Sequence, residues 1–209
     1  MNICLNIPRL FLLFQILSIF IKTIYSNNSS NCKFMLKKPK LVAFDLDGTI
    51  WSPDMYELWG GGSPFTAIDD GKKFLRDSSG TTVRLLGITG HLLHELKFSD
   101  EWRGVKLAWV SKTDEPLWAN ECLQKFKSSG GAPLISLADS SQIYKGNKQE
   151  HFRNLKREYP DIDFANMIFF DNEMGNIRDV SKIGVCSVYC PDGVTKEIWD
   201  EGLKLFNNS

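Results

Sequence analysis

The sequence lacks an excess of charge of either sign. Lys plus Arg and Asp plus Glu each number 25 among 209 residues, a formal net charge of zero. That excludes a globally basic chain built to track a nucleic-acid backbone, though it leaves room for a small basic pocket around one phosphate. Cysteine is scarce and odd in number, five in all, which excludes a disulfide scaffold. Cys186 and Cys190 flank a Val/Ser/Tyr run that reads as a strand. Four residues apart on a strand, they face one side but lie too far apart to bridge, so buried thiols are expected. From Pro39 onward repeats and low-complexity tracts are absent as well. A long hydrophobic run is also missing: residues 10–21 (LFLLFQILSIFI) are interrupted by Gln15 and Ser18 and are short for a membrane span.

What is present divides the chain unevenly. Hydrophobic residues make up 43% and charged residues 24%, enough for a packed core. Residues 1–26 have the look of a signal peptide or hydrophobic leader, with Arg9 before the apolar stretch and Tyr25-Ser26 as a cleavage site. Residues 27–38 form a polar linker in which Asn27 and Asn28 both satisfy the glycosylation sequon. Two other readings compete: an uncleaved anchor, and a start at Met35, where MLKKPKLVAFDLDG would open a cytosolic protein. A secretory or a cytoplasmic location follows from that choice, and a membrane partner only from the anchor. Residues 39–206 are expected to form one domain, acting as a monomer.

Within that domain strand-like and helix-like runs alternate. Apolar runs at residues 41–44 (LVAF), 105–110 (VKLAWV), 167–170 (MIFF) and 185–189, with a weaker one at 133–138, read as strands buried on both faces. Helical spacing links Ala119, Leu123 and Phe126; Phe152, Leu155 and Tyr159; Ile177, Val180 and Ile183; and Trp199, Leu203 and Phe206. Gly184 stands where the third of these helices should end. The expected fold is α/β, a doubly wound, mostly parallel sheet. Residues 52–82 break the alternation with two prolines, Gly60-Gly61-Gly62 and aromatics nearby. They read as an insertion after the first strand, a small β-rich flap in which Trp59, beside its glycines, is placed to cover a site.

In such sheets ligands bind beyond the carboxyl ends of the strands. The polar residues there form a coherent set: Asp45-Leu46-Asp47-Gly48-Thr49 after the first strand, Ser111 and Lys112 after the second, Lys148 at a later helix start, and Asp171-Asn172-Glu173 after the fourth. Asp45 can attack phosphorus and form a covalent intermediate. Asp47, two residues on, can protonate the leaving oxygen and then deprotonate water. Two anions repel, so a hard cation such as Mg²⁺ is needed, held by Asp45, the Asp47 carbonyl and a member of the 171–173 cluster. Backbone N–H groups near Leu46 and Asp47, the Ser111 hydroxyl, Lys112 and Lys148 are candidates to hold the transferring oxygens. Lys145 is a rival for Lys148.

These residues carry a resemblance. FDLDGT after an apolar strand resembles the first motif of the haloacid dehalogenase superfamily. PKLVAFDLDGTIW, Ser111-Lys112-Thr113, QIYKGNKQEHF and MIFFDNEMGNIRDVSKIGV resemble its magnesium-dependent phosphatase-1 family over roughly residues 39–206. The resemblance implies an Asp45 nucleophile, an Asp47 acid/base, phosphate contacts at Ser111, Lys112 and Lys148, and a metal site at Asp171 or its neighbour. It also implies Mg²⁺ as cofactor. Two departures stand out. The family usually has two adjacent aspartates at Asp171-Asn172, and commonly Arg at Lys112; an Asn oxygen can still bind Mg²⁺, while a lysine lacks the bidentate fork.

The expected activity is hydrolysis of a phosphomonoester, either a small phosphorylated metabolite or a phosphotyrosine side chain on a phosphopeptide. A phosphotransferase of the same superfamily and a catalytically weak binding protein are the alternatives. An EF-hand reading of Asp45-Leu46-Asp47-Gly48 fails because Thr49 and Ile50 occupy the positions that need a third ligand and a glycine. His91, His94 and Glu95 share one helical face, and Trp51 either stacks near the substrate or anchors the insertion.

Overall fold

The computed structural model describes residues 37–208, so the leader and the glycosylation sequons lie outside the described residues. Five strands form the main sheet: β1 (Leu41–Phe44), β6 (Lys106–Ser111), β7 (Ser140–Ile143), β8 (Met167–Asp171) and β9 (Cys186–Tyr189), in the order β7-β6-β1-β8-β9. Every neighbouring pair is parallel, with Ala43 opposite Ala108 on one side and Phe169 on the other. The chain winds from β1 out to β7, then crosses back to β8 and β9. This is the doubly wound order, with its switch point at the central pair β1 and β8.

The unbroken apolar runs are explained by burial on both faces. Val42, Phe44, Leu107, Trp109, Ile168 and Phe170 join one core, which also takes in Leu92, Leu93, Leu123, Trp199 and Phe206. Leu41, Ala43, Ala108, Val110, Met167 and Phe169 join a second with Phe152, Leu155, Ile177 and Val180. The helices follow: α1 (Thr89–Phe98), α2 (Pro116–Lys125) and α5 (Lys196–Asn208) cover the first face, α3 (Lys148–Glu158) and α4 (Met174–Ser181) the second. Gly184, at φ 90°, closes the chain after α4 as the periodicity predicted. No helix among the described residues is long and apolar enough to cross a membrane.

The expected third strand at 133–138 is corrected. Leu134–Ser136 is a short 3-10 turn, and the strand lies further on, at β7. Leu134 and Leu137 are both fully buried, three apart as a helical turn requires. The true strand, SSQI, sits at the sheet edge with mixed burial. A polar edge strand carries no apolar run, whereas a buried turn does.

The insertion is the β-rich unit expected, and slightly longer. β2 (Trp51–Ser52), β3 (Thr66–Ala67), β4 (Phe74–Arg76) and β5 (Thr82–Leu85) form an antiparallel sheet ordered β2-β5-β4-β3. Phe65, Leu75 and Val83 anchor it in the first core. Asp77 holds its tip, accepting bonds from the Gly62, Ser79 and Thr81 amides at 3.0, 3.0 and 2.7 Å.

Candidate active site

A cavity of about 180 Å³ opens at the carboxyl end of the main sheet. Asp45 and Asp47 reach it from the end of β1, Ser111, Lys112, Thr113 and Asp114 from the end of β6, and Glu173 from the end of β8. The flap contributes Asp54 and Tyr56.

The loop after β1 is built by a tight return of the chain. The Leu46 carbonyl accepts from the amides of Thr49, Ile50 and Trp51, and Gly48 donates to the Trp51 carbonyl at 2.8 Å. Gly48 has φ 69°, and a β-carbon there would meet Asn172 Nδ2 at 2.1 Å. Glycine is thus required twice, by the turn and by the Asn172 side chain lying on it. The turn brings Trp51 back beside Asp47, whose Oδ1 accepts from Trp51 Nε1 at 2.8 Å and from the Met55 amide at 3.3 Å.

Lys148 opens α3, where Asn147 caps the helix by accepting from the Glu150 amide at 2.9 Å. Its side chain is buried and spends all three hydrogens of the ammonium inside the protein. Nζ donates to Asp45 Oδ1, pairs with Asp171 Oδ2 at 3.1 Å, and donates to the Val110 carbonyl at 2.6 Å. Lys145, its rival in the sequence, is exposed and pairs instead with Asp114 at 2.9 Å. Lys112 is also engaged, donating to Glu173 at 2.7 Å and Asn176 at 3.2 Å. Ser111 lies at the very end of β6, its Oγ accepting from the Thr113 amide at 3.3 Å.

Asp171 and Asn172, interchangeable in the sequence, occupy different places. Asp171 is fully buried and saturated: Oδ1 accepts from the Glu173 amide at 2.6 Å and Asn176 Nδ2 at 3.1 Å, and Oδ2 from Asn176 at 2.9 Å and from Lys148. Asn172 is half-buried, and its Oδ1 accepts a long 3.4 Å bond from the Thr49 hydroxyl.

Electrostatics follow from this crowding. Burial pushes the Asp45 carboxyl well above its usual range; Lys148 pulls it back, and Asp171 adds to the rise. Burial also raises Asp47, against the bonds from Trp51 and Met55. Asp54 is pushed up to about 6, by burial first and then by Asp47, Glu57 and Glu173. For Lys148 burial acts downward, but Asp45 and Asp171 outweigh it and hold the ammonium above its ordinary value. Five carboxylates and one ammonium line the cavity itself, a surplus of anionic oxygen that a hard cation would relieve. No group of three His, Cys, Asp or Glu among the described residues converges to hold a metal. The donors fit a cation that accepts one or two carboxylates and keeps several waters, as Mg²⁺ does.

Three readings of the sequence need correction or completion. Trp59 does not cover the site: it is 86% exposed and not among the residues lining the cavity. Of the glycines beside it, Gly61 lies against Asp77 and Gly62 against Trp118, while Gly60 has open space around it. Tyr56, 62% exposed, lines the cavity in its place. Trp51 is an anchor, fully buried and stacked on Phe126 at 6.1 Å, and it also holds Asp47. His91 and His94 do share α1, with the His94 ring packed on Phe98 at 4.8 Å. Asp54, Tyr56, Thr113 and Asp114 were missed. Thr113 and Asp114 adjoin the Ser-Lys pair, a signal that was available; Asp54 and Tyr56 arrive only through the turn at 55–57.

Comparison with known proteins agrees with this geometry. Residues 37–209 match the acid phosphatase family. Magnesium-dependent phosphatase 1 of Homo sapiens is 35% identical over 175 residues, covering 82% of this chain and 89% of the relative. A HAD-like hydrolase superfamily protein of Schizosaccharomyces pombe is 31% identical over 153 residues, 70% of this chain and 83% of that protein. Among solved structures, an archaeal β-phosphoglucomutase from Pyrococcus sp. strain ST 04 shares the fold at 14% identity, with a TM-score of 0.54 over 81% of this chain and 99% of that one. The carboxylate loop, the doubly wound sheet and these matches together make the chain a phosphatase that belongs to the magnesium-dependent phosphatase 1 family of the haloacid dehalogenase superfamily.

Proposed function

We propose that the protein hydrolyses phosphomonoesters, in a Mg²⁺-dependent reaction, through an aspartyl-phosphate on Asp45. The observation that carries this reading is the pairing of the two carboxylates at the end of β1. Asp45 is gripped by Lys148, whereas Asp47 accepts at Oδ1 from Trp51 and Met55 and takes a further hydrogen bond from the Thr113 side chain. A carboxylate oriented by an ammonium that opposes its protonation suits a nucleophile; a buried carboxyl held by neutral donors suits proton transfer. Mg²⁺ would be held by Asp45, the Asp47 carbonyl and Asn172, and when bound it would offset the repulsion between Asp45 and the phosphate. Asn172 is favoured over Asp171 because Asp171 already accepts from three groups and has no exposed surface. Ser111, Lys112 and the amides near Leu46 and Asp47 would hold the non-bridging oxygens. Lys148 would serve the phosphate mainly by holding Asp45. A cleft of about 180 Å³ suits a small phosphorylated metabolite or the end of a phosphotyrosine side chain.

The test is chemical. Acid quench during turnover of a labelled phosphomonoester should trap a hydroxylamine-labile phosphoprotein on the wild type. Asp45→Asn should abolish the label and lower turnover by at least ~10³-fold. Label retained in that variant would place the covalent bond elsewhere and refute the reading.

A further inference from the structure

The flap does more than border the cavity. Its first residue, Trp51, and the amide of Met55 at its first turn are the two donors on Asp47 Oδ1. Both donors are themselves fixed. Trp51 is fully buried, stacked near-parallel on Phe126 with ring centroids 6.1 Å apart, and hydrogen-bonded through its carbonyl to Gly48. Met55 is fully buried and opens a short 3-10 turn capped at Asp54. From these contacts we infer that Trp51 is a positioning residue for proton delivery to the leaving group, acting through Asp47.

The inference rests on the reading of Asp47 as the acid. In the first half-reaction an Asp45 oxygen bonds to phosphorus while the bond from phosphorus to the leaving oxygen breaks. The electron pair stays on the leaving oxygen, which takes the proton from Asp47. Asp47 ends as a carboxylate. With Oδ1 committed to two N–H donors, the proton resides on Oδ2, and the indole, the closer of the two, sets the plane of the carboxyl together with the Thr113 side chain. The same two N–H groups stabilise the carboxylate that remains after transfer. Without the indole N–H, only the longer bond from Met55 and the Thr113 side chain hold the carboxyl, and its plane is less sharply set. A general acid misplaced by an ångström loses much of its effect.

This predicts a leaving-group signature that a packing role would not produce. Activated aryl phosphates, such as a nitrophenyl ester, leave without needing a proton; alkyl phosphates need one. Trp51→Phe keeps the ring and its stack but removes the N–H. Its kcat/KM for an alkyl phosphate should fall on the order of tenfold or more, within the range general acids supply, and for the nitrophenyl ester by about twofold or less. Phe126→Leu, which disturbs the same stack and leaves the N–H in place, should lower both substrates alike while reducing thermal stability. Asp47→Asn is the control on the underlying reading, and should show the same selectivity more strongly. If Asp47→Asn is selective and Trp51→Phe lowers both substrates equally, the positioning role is overturned while the acid stands. If Asp47→Asn is itself unselective, the reading of Asp47 falls and this inference with it. If Trp51→Phe fails to fold, Trp51→His, which offers a ring N–H near the same place, should retain alkyl phosphate activity above that of Trp51→Leu; equal values would overturn the inference.

Discussion

Replacing Lys148 with methionine keeps the length and bulk of the side chain and deletes its charge. The structure gives the size of the effect. The Lys148 ammonium pairs with Asp171 at 3.1 Å and donates to Asp45, and it too is buried. At an effective dielectric constant of about 20, one such pair is worth roughly 5 kcal/mol of Coulomb attraction. Desolvation of the ammonium is recovered on its removal, so the net loss is smaller, about 3–5 kcal/mol for a buried pair broken on one side. With a urea m-value near about 2 kcal/mol/M, the midpoint in EDTA should fall by roughly 2 M at pH 7.5. Protonation is the escape route. Asp45 is already raised by burial and by Asp171, and loss of Lys148 removes what pulls it down. A carboxyl with a raised folded pKa binds its proton more tightly in the native state, so its destabilising charge is relieved as pH falls through that pKa. Lys148 itself is raised above its ordinary value, so its contribution is complete at neutral pH and disappears only in strong alkali. The variant's deficit should therefore shrink between pH 7.5 and pH 5. Saturating Mg²⁺ should recover part of it at pH 7.5, because a cation replaces a cation. A deficit under about 0.5 kcal/mol in EDTA, or one that grows as pH falls, would refute the argument.

Three further outcomes are expected. Asn172→Asp should lower the Mg²⁺ concentration for half-maximal activity and Asn172→Ala should raise it; Gly48→Ala should behave like Asn172→Ala, since its β-carbon would displace that side chain, and coincident values for all would exclude Asn172 as a ligand. Tyr56→Ala should raise KM severalfold for substrates that extend past the phosphate, while Trp59→Ala leaves KM unchanged, because Tyr56 lines the cavity and Trp59 does not; equal effects would show that the flap acts only as scaffold. Burial pushes the Asp77 carboxyl up, but the amides of Gly62 and Thr81 and both donors of Ser79 outweigh it and hold it below the usual range. The stability it adds is present above pH ~4 and lost as pH falls through the lower folded value. Hydrogen exchange at the flap amides should accelerate there, and Asp77→Ala should show the fast exchange already at neutral pH, with a cost of about 1–3 kcal/mol.

The sequence by itself determined the parallel sheet and its carboxylate loop. Runs such as LVAF and MIFF are apolar at every position, and only a strand covered on both faces requires that. Asp45 and Asp47 were legible because strand, turn and carboxylates are contiguous, so their placement needs no long-range information. The edge strand β7 was not legible, since a strand half in solvent needs few apolar residues, and the neighbouring buried turn imitated it. Tertiary structure alone decided the rest. It separated Asp171 from Asn172, because which of two adjacent side chains points at Lys148 and which lies on Gly48 depends on how β8 meets β1. It showed that Lys148, a candidate phosphate contact in the sequence, also clamps two carboxylates, because three acceptors distant in sequence converge on one ammonium. It brought Tyr56, not Trp59, to the cavity, because Tyr56 lies within the 3-10 turn at 55–57 and Trp59 lies beyond its end. Local pattern reports how much of a residue is buried; the direction of a side chain depends on partners that only the folded chain brings near.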